Sequence, residues 1–187
     1  MNPFLQYINN FTTLSAESQN ALSAIVAQLE LPKGETLIRQ DVICEHAYFI
    51  EKGLARTYYY KDGRAVTDWL GAEGDVVVSI VSFLMRQPDR RNVELLENSI
   101  VWKIPFYELE ILYAKHHDIE RLGRLLMSHG LVMLQQRFDD LHFATASERY
   151  QKLLKTKPSL LQRVPLGMIA SYLGITQETL SRIRAQA

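Results

Sequence analysis

The sequence PLGMIASYLGITQETLSRIR, at residues 165–184, decides how the last part of this chain folds. Its residue types fit two short helices joined by a tight turn, which is a helix-turn-helix. Ala170 is small where the two helices must approach closely, and Gly174 stands where the turn needs a positive φ. The apolar residues that recur at helical spacing predict a core shared by both helices: Ile169, Leu173, Ile175, Leu180 and Ile183.

The second helix of this motif has a polar face, which predicts contacts with bases in the major groove of DNA. Arg182 can donate two hydrogen bonds to a guanine, and Glu178 can accept one from a cytosine amino group. Gln177 can pair with an adenine or reach a phosphate, and Ser181 can contact a base or the backbone. Thr176 can cap the helix and leave its first N–H groups facing a phosphate. The alternative is a terminal helical hairpin whose polar residues are only solvated.

Charge is distributed unevenly along the chain, although its 21 basic residues equal its 21 acidic ones. Residues 1–146 contain 14 Lys and Arg against 19 Asp and Glu, whereas residues 147–187 contain 7 against 2. A basic tail attached to an acidic domain is typical of DNA binding, because neutralising phosphates releases counterions and gives affinity. We expect phosphate contacts from the basic residues of this tail: Lys152, Lys155, Lys157, Arg163 and Arg184.

Upstream of the motif, the sequence predicts one opening helix followed by a β-rich domain. Apolar residues lie near helical spacing over residues 14–29. From residue 31 to about residue 105 the apolar runs are short or alternating, and glycine-containing turns separate them, with KDGR at 61–64 as the clearest hairpin turn. About seven short strands at this spacing favour an antiparallel jelly roll or barrel over a parallel sheet.

A long helix is predicted before the motif, because residues 106–157 contain no proline. Its apolar positions recur about every 3.5 residues, which is typical of a helix pair between subunits. This pattern favours a homodimer, and the alternative is a helix that packs only on its own barrel. The predicted seam comprises Leu122, Leu125 or Leu126, His129, Val132 or Met133, and Gln136.

Over nearly all of its 187 residues, the chain resembles the Crp/Fnr family of bacterial regulators. The most specific match lies on the second helix of the motif, where Glu178, Ser181 and Arg182 reproduce the family pattern of Glu, two residues, then Ser-Arg. The segment GDVVVSIVSFL, at residues 74–84, looks like the last barrel turns of the family.

The resemblance implies an α+β fold with three parts. Residues 1–115 would form an N-terminal antiparallel β-roll (a double-stranded β-helix or jelly roll) that resembles a cyclic-nucleotide-binding domain. Residues 116–146 would form a dimerisation helix, and residues 147–187 a winged helix-turn-helix. It further implies a DNA-binding transcription regulator that recognises a palindromic operator as a homodimer. RNA polymerase is a further partner if the regulator activates transcription.

The predicted effector pocket lacks the residues that hold a cyclic nucleotide in the family. The positions of the family's Gly-Glu pair fall near Val78 and Ser79, so no carboxylate is available for a ribose hydroxyl. Arg90 and Arg91 lie near the place of the phosphate-binding arginine, but without its small neighbours. We therefore expect that cyclic AMP is not the effector, and that these arginines form a solvated pair on a loop.

Other function classes find little support in the composition. The single cysteine, Cys44, excludes a four-cysteine iron–sulfur cluster, and the five histidines have no haem or metal motif, so we expect no cofactor and no metal site. A cupin-like metal enzyme would need several barrel histidines, and residues 31–105 contain only His46. An interaction module without DNA binding stays open as an alternative. No apolar run reaches the length of a membrane span and no signal sequence opens the chain, so we expect a cytoplasmic protein. Because the metal ligands of a barrel enzyme are missing, we expect that it is not an enzyme.

Overall fold

The computed structural model describes residues 3–186 as a β-roll with helices at both ends of the chain. Its strands are β1 (Ala27–Leu31), β2 (Thr36–Ile38), β3 (His46–Lys52), β4 (Ala55–Lys61), β5 (Arg64–Gly71), β6 (Val76–Val77), β7 (Asn92–Leu95) and β8 (Ser99–Pro105). Its helices are α1 (Pro3–Ile8), α2 (Ala16–Ile25), α3 (Ile80–Met85), α4 (Phe106–Lys115), α5 (His117–Phe143), α6 (Ala146–Thr156), α7 (Leu160–Arg163), α8 (Leu166–Tyr172) and α9 (Gln177–Gln186).

The roll consists of two antiparallel sheets, with strand orders β1-β8-β3-β6 and β2-β7-β4-β5. Their inner faces enclose a core that includes Ile50, Val93 and Val101, none of which is exposed to solvent. The hairpin between β4 and β5 turns at Asp62 and Gly63, and both have a positive φ, as a two-residue hairpin turn requires. The predictions of antiparallel sheets and of a hairpin at residues 61–64 are confirmed.

The start of the chain differs from the prediction of one helix over residues 14–29. Helix α2 begins after the cap Ser15, whose hydroxyl accepts a hydrogen bond from the Ser18 N–H, and it ends at Ile25. Residues 27–31 form β1, where Leu29 lies opposite Val101 of β8. Pairing with β8 satisfies the backbone of this segment, so the tertiary contact overrides the local helical spacing. A further helix, α1, which the sequence did not predict, precedes α2 and buries Ile8.

Helix α5 confirms the predicted long helix, but the predicted seam is wrong in part. Leu122 is only 4% exposed and lies in the cluster formed with α1, α2 and α4. Leu126 packs against the same cluster, and the ring of His129 meets Phe11 edge-on, with centroids 5.5 Å apart. These three positions contact their own chain, because α4 and the N-terminal helices cover that side of α5. This face of α5 therefore packs within its own chain, as the alternative interpretation of the sequence predicted.

The helices after residue 145 pack directly on the roll. Leu54 and Leu70 of the roll lie in one core cluster with Tyr150, Leu160 and Leu173 of the C-terminal helices. The Thr67 N–H of β5 donates a 2.9 Å hydrogen bond to the Ser171 hydroxyl of α8. The segment predicted as a separate domain thus shares its core with the roll. No strand occurs between residues 147 and 186, so the winged part of the prediction is not confirmed.

Candidate nucleic-acid interface and sensor site

Helices α8 and α9 form the predicted pair around a tight turn. Gly174 adopts a φ of 68°, and a Cβ at this position would lie 3.3 Å from the Leu141 side chain of α5, so the turn has little room for a larger residue. Ala170 and Leu180 are buried between the helices. The Thr176 hydroxyl accepts a 3.2 Å hydrogen bond from the Thr179 N–H, which confirms the predicted cap of α9.

The outer face of α9 is exposed to solvent and polar. Five of the residues predicted to contact DNA lie there or just before it, all of them exposed: Thr176, Gln177, Glu178, Ser181 and Arg182. Arg184, predicted to contact phosphate, is also exposed. The buried Leu180 fixes this orientation, because it turns the opposite side of α9 into the core. The structure thus brings the predicted base-reading residues together on one free face.

Glu178 is held ionised at the start of α9. Its own backbone N–H is the first cause that lowers its carboxyl pKa, followed by the Thr176 hydroxyl and the charge of Arg182. The Arg182 guanidinium donates only to the Thr179 hydroxyl, at 3.3 Å, and forms no ion pair with the described residues. The arrangement therefore offers a carboxylate acceptor and a guanidinium donor one helical turn apart.

Three of the five basic residues predicted to contact phosphate form ion pairs within the chain instead. Lys152 contacts Asp140 of α5 at 2.7 Å, and Lys157 contacts Asp75 of the roll at 2.7 Å. Arg163 contacts two carboxylates of the roll, those of Glu73 and Glu97. Lys155 and Arg184 form no such pair with the described residues. The acidic roll thus neutralises Lys157 and Arg163, and α5 neutralises Lys152.

Arg163 is the centre of this contact between the roll and the C-terminal helices. Its guanidinium donates to Glu73 at 2.8 Å, to Glu97 at 2.6 Å and to the Gly53 carbonyl at 3.0 Å. The hydrogen bond from Arg163 is the main reason why the pKa of Glu73 falls to about 2, and the two carboxylates raise the pKa of Arg163 in turn. Both charges therefore persist at neutral pH.

In the predicted effector pocket of the roll, Ser79 and Arg91 lie close together, but carboxylates of the same chain already bind both side chains. The buried Ser79 hydroxyl donates to Asp89 at 2.6 Å, and Arg91 contacts Asp89 at 3.0 Å and Asp68 at 2.7 Å. Burial acts to raise the pKa of Asp89, but the hydrogen bonds from Ser79 and Arg91 outweigh it and lower the pKa. The Arg91 charge is compensated by two carboxylates, so it is not free for a phosphate.

The other two predicted pocket residues differ in character, since one is apolar and the other carries an exposed charge. Val78 has an apolar side chain, which packs against two of the core clusters. Arg90 is exposed, and its guanidinium lies over the Tyr59 ring at 5.2 Å from the centroid. The prediction of a solvated arginine pair is thus right for Arg90 and wrong for Arg91, because Asp68 and Asp89 hold Arg91 in place.

The side of α5 that faces away from the roll carries exposed apolar residues. We call this set the free seam, and it consists of Met127, Leu131, Leu134, Phe138 and Leu141. The spacing alternates between four and three residues, as in the a and d positions of a coiled coil. Leu131 is 68% exposed, whereas the predicted seam residue Leu122 is nearly buried. The same periodicity test would have found this set, because it occurs in the sequence in a neighbouring register.

Metal-binding and membrane-spanning features are absent from the part of the chain that the structure describes. Within residues 3–186, no group of three or more His, Cys, Asp and Glu side chains is arranged to hold a metal ion. Cys44 is buried, and its thiol contacts the His46 carbonyl at 3.2 Å. No described helix has both the length and the apolar character needed to cross a membrane.

Comparison with protein families matches residues 28–116 to the cyclic nucleotide-binding domain. No match is found among the curated proteins. Solved structures match nearly the whole chain. FixK2 from Bradyrhizobium japonicum has a TM-score of 0.72 at 24% identity and covers 87% of this chain and 84% of its own.

Two further solved structures agree with this fold. A protein from Eubacterium rectale assigned to the Crp/Fnr family of transcriptional regulators has a TM-score of 0.73 at 17% identity, and covers 95% of this chain and 85% of its own. The c-di-GMP-responsive global regulator CLP from Xanthomonas campestris has a TM-score of 0.68 at 16% identity, and covers 92% of this chain and 91% of its own. At these identities, the likeness establishes a shared fold.

Proposed function

Because residues 28–116 match the cyclic nucleotide-binding domain and the chain has the fold of Crp/Fnr regulators, we propose that this protein is a transcription regulator that binds DNA as a homodimer. The observation that carries the proposal is the exposed face of α9. There, Glu178, Ser181 and Arg182 point away from the buried Leu180. This face can enter a major groove while the apolar side stays packed on α8.

The free seam of α5 is the surface that we propose for the dimer. Its five apolar residues are each at least 41% exposed, and the a/d spacing suits a parallel helix pair. A twofold axis through this pair would place one α9 in each half of a palindromic operator. The half-sites would lie about 34 Å apart, or about 10 base pairs between the centres of the two recognition helices.

The sensor part of the proposal excludes cyclic AMP as the effector. A cyclic phosphate would need a cation, and the Arg91 charge is already compensated by Asp68 and Asp89. The Arg90 guanidinium is exposed and lies over the Tyr59 ring. Entry of a further anion beside these two carboxylates would be repelled. The ribose hydroxyl would also lack a carboxylate at Val78 and Ser79.

The direct test is selection of bound duplexes from fragmented genomic DNA by the purified protein, at a stated salt concentration, with and without cyclic AMP. We expect one palindrome to be enriched equally under both conditions. Enrichment only with the nucleotide would support the regulator and contradict the account of Arg91. No enrichment under either condition would contradict DNA recognition by the protein.

Two substitutions on α9 separate base reading from phosphate contact. Arg182→Ala should remove discrimination at one base pair per half-site, by about 1–3 kcal/mol. Arg184→Ala should weaken binding equally for all sequences and reduce the dependence of affinity on salt. Binding to operator variants that differ at single positions checks both variants. Uniform weakening by Arg182→Ala would contradict its assignment to a base.

One observation favours a second function, an interaction module without DNA binding. The ion pairs of Lys152, Lys157 and Arg163 neutralise three of the seven Lys and Arg side chains in residues 147–186. Phosphate contacts supply most of the sequence-independent affinity of DNA-binding proteins, so this loss of free charge would weaken DNA binding. Weak binding that disappears as salt rises, without enrichment of a sequence, would support the module.

A further inference from the structure

A cavity of about 90 Å³ lies where the long helix, the C-terminal helices and the roll meet. Its wall includes Trp69 of β5, residues of α5 and α6, and the end of α8. The polar and aromatic residues that matter here are Trp69, Arg137, Asp140, Arg149, Lys152 and Tyr172. A space of this size can hold several water molecules or a small ion.

Two of the cations on this wall have no carboxylate partner. Lys152 is neutralised by Asp140, at 2.7 Å. Arg137 and Arg149, in contrast, have no carboxylate oxygen within 4 Å among residues 3–186. The cavity wall therefore carries two guanidinium groups that form no direct ion pair, which distinguishes it from the roll, where Arg91 contacts two carboxylates.

Arg137 is held in the wall by neutral groups. Its guanidinium donates to the Tyr172 carbonyl and lies over the Tyr172 ring at 3.9 Å from the centroid. Its Nε atom is buried and has no hydrogen-bond partner. Burial lowers the pKa of this guanidinium by more than the charges of Tyr172, Asp68 and Asp140 raise it. A buried donor without a partner is costly unless a ligand satisfies it.

Arg149 completes the arrangement from α6. Its Nε donates to the Leu173 carbonyl at 2.9 Å, and its Nη1 donates to the Ala144 carbonyl. Both arginines therefore contact the last residues of α8, just before the turn of the helix-turn-helix. An anion bound between them would join α5 and α6 to α8, since a guanidinium can donate to an oxyanion and to a carbonyl at the same time.

We propose that this cavity binds a small oxyanion of the phosphate class, held by Arg137 and Arg149 beside Trp69. Guanidinium groups match the geometry of phosphate oxygens, because their N–H groups can donate to two of those oxygens at once. Binding there fixes the angle between the long helix and the helix-turn-helix. Only this last effect rests on the proposed function, because it assumes that α9 acts on DNA.

The test uses the full chain with Trp102→Phe, so that Trp69 is the remaining tryptophan. Inorganic phosphate is titrated at constant ionic strength, with chloride as the compensating anion, and the fluorescence of Trp69 is recorded. We expect a saturable change with phosphate and none with chloride. Arg137→Gln should weaken phosphate binding at least tenfold, whereas Arg121→Gln, an exposed arginine on the same helix, should leave it unchanged.

Arg137→Lys keeps the charge and should bind phosphate more tightly than Arg137→Gln does. Arg149→Gln tests the other side of the cavity and serves as the second variant if Arg137→Gln lowers the melting temperature. An equal response of the parent protein, Arg137→Gln and Arg149→Gln to phosphate would overturn the proposal. A response to chloride alone would also overturn it.

A duplex added in place of phosphate distinguishes a DNA backbone phosphate from a free anion. A change in Trp69 fluorescence with the duplex, and none with inorganic phosphate, would overturn the proposal. The phosphate titration needs no operator, so its failure is separate from the failure of the proposed function. Selection of a palindrome without phosphate binding would contradict only the cavity site, and phosphate binding without selection would contradict only DNA recognition.

Discussion

The two faces of α5 follow the same helical periodicity but have different surroundings. One face, with Ile119 and Leu122, is buried under α2 and α4. The other face, the free seam, exposes residues such as Leu131 and Phe138. Both sets consist of large apolar side chains, so composition does not separate them. The two faces differ only in which elements pack against them. Periodicity therefore shows that a helix face is apolar, but the tertiary structure decides whether that face packs within the chain or stays exposed.

The largest expected effect comes from the buried face. Leu122→Ala should lower the free energy of unfolding by about 2–5 kcal/mol, because the lost contacts leave a cavity in a packed cluster. Chemical denaturation at fixed protein concentration measures the loss. Arg121→Ala, at the exposed neighbouring position, should change the free energy by less than about 0.5 kcal/mol. Similar losses from both variants would show that Leu122 is not part of the core.

A matched substitution on the free seam should act on assembly. Leu131→Ala should weaken the dimer by about 1–3 kcal/mol, or roughly 5- to 150-fold in the dissociation constant, because Leu131 lies at the middle of the proposed helix pair. Sedimentation equilibrium measures the constant. Val132→Ala is the control, since Val132 is exposed but lies beside the seam. A larger effect from Val132→Ala than from Leu131→Ala would instead support the seam predicted from the sequence, which contains Val132 or Met133.

The contact between the C-terminal helices and the roll provides a third, smaller test. Arg163→Ala should lower the free energy of unfolding by about 1 kcal/mol at low salt, because it leaves Glu73 and Glu97 without their partner on a half-exposed surface. The loss should shrink as salt rises. Arg184→Ala, which removes an exposed arginine without a described ion pair, should have almost no effect. An equal loss from both variants would contradict the role of Arg163.

The smallest expected effect is a pH dependence at the start of α5. Hydrogen bonds from the Ser18 hydroxyl and the Ser15 N–H lower the pKa of Asp118 to about 2. The folded pKa lies below the unfolded value, so this stabilisation is present above about pH 4 and is lost as the pH falls towards 2. Asp118→Asn should therefore be less stable than the parent at pH 7, and the difference should disappear near pH 2. A constant difference would contradict the mechanism.

Much of the fold follows from local patterns in the sequence. The hairpin at residues 61–64, the turn at Gly174 and the cap at Thr176 each rest on the conformational or hydrogen-bonding preference of one or two residues. The polar face of α9 also follows, because a buried Leu180 sets the direction of its neighbours. The strand β1 does not follow, since only its partner β8 decides that residues 27–31 are extended.

In the candidate sites, too, the sequence predicted features that depend on nearby residues and missed those that depend on distant ones. The sequence identified Glu178, Ser181 and Arg182 as a set, because residues one helical turn apart share a face. It could not indicate which cations are free. Arg163 pairs with carboxylates about 66 and 90 residues away in sequence, whereas Arg137 forms no ion pair with the described residues and its buried Nε has no hydrogen-bond partner.

The sequence by itself determined most element types, the turn residues and the polar face of α9, because these depend on neighbours within one helical turn or one hairpin. The tertiary structure alone decided which face of α5 is buried, how the C-terminal helices pack on the roll, and which arginines have a carboxylate partner. The physical reason is range. Packing and ion pairing join residues that are far apart in sequence, and no local pattern records which of them meet.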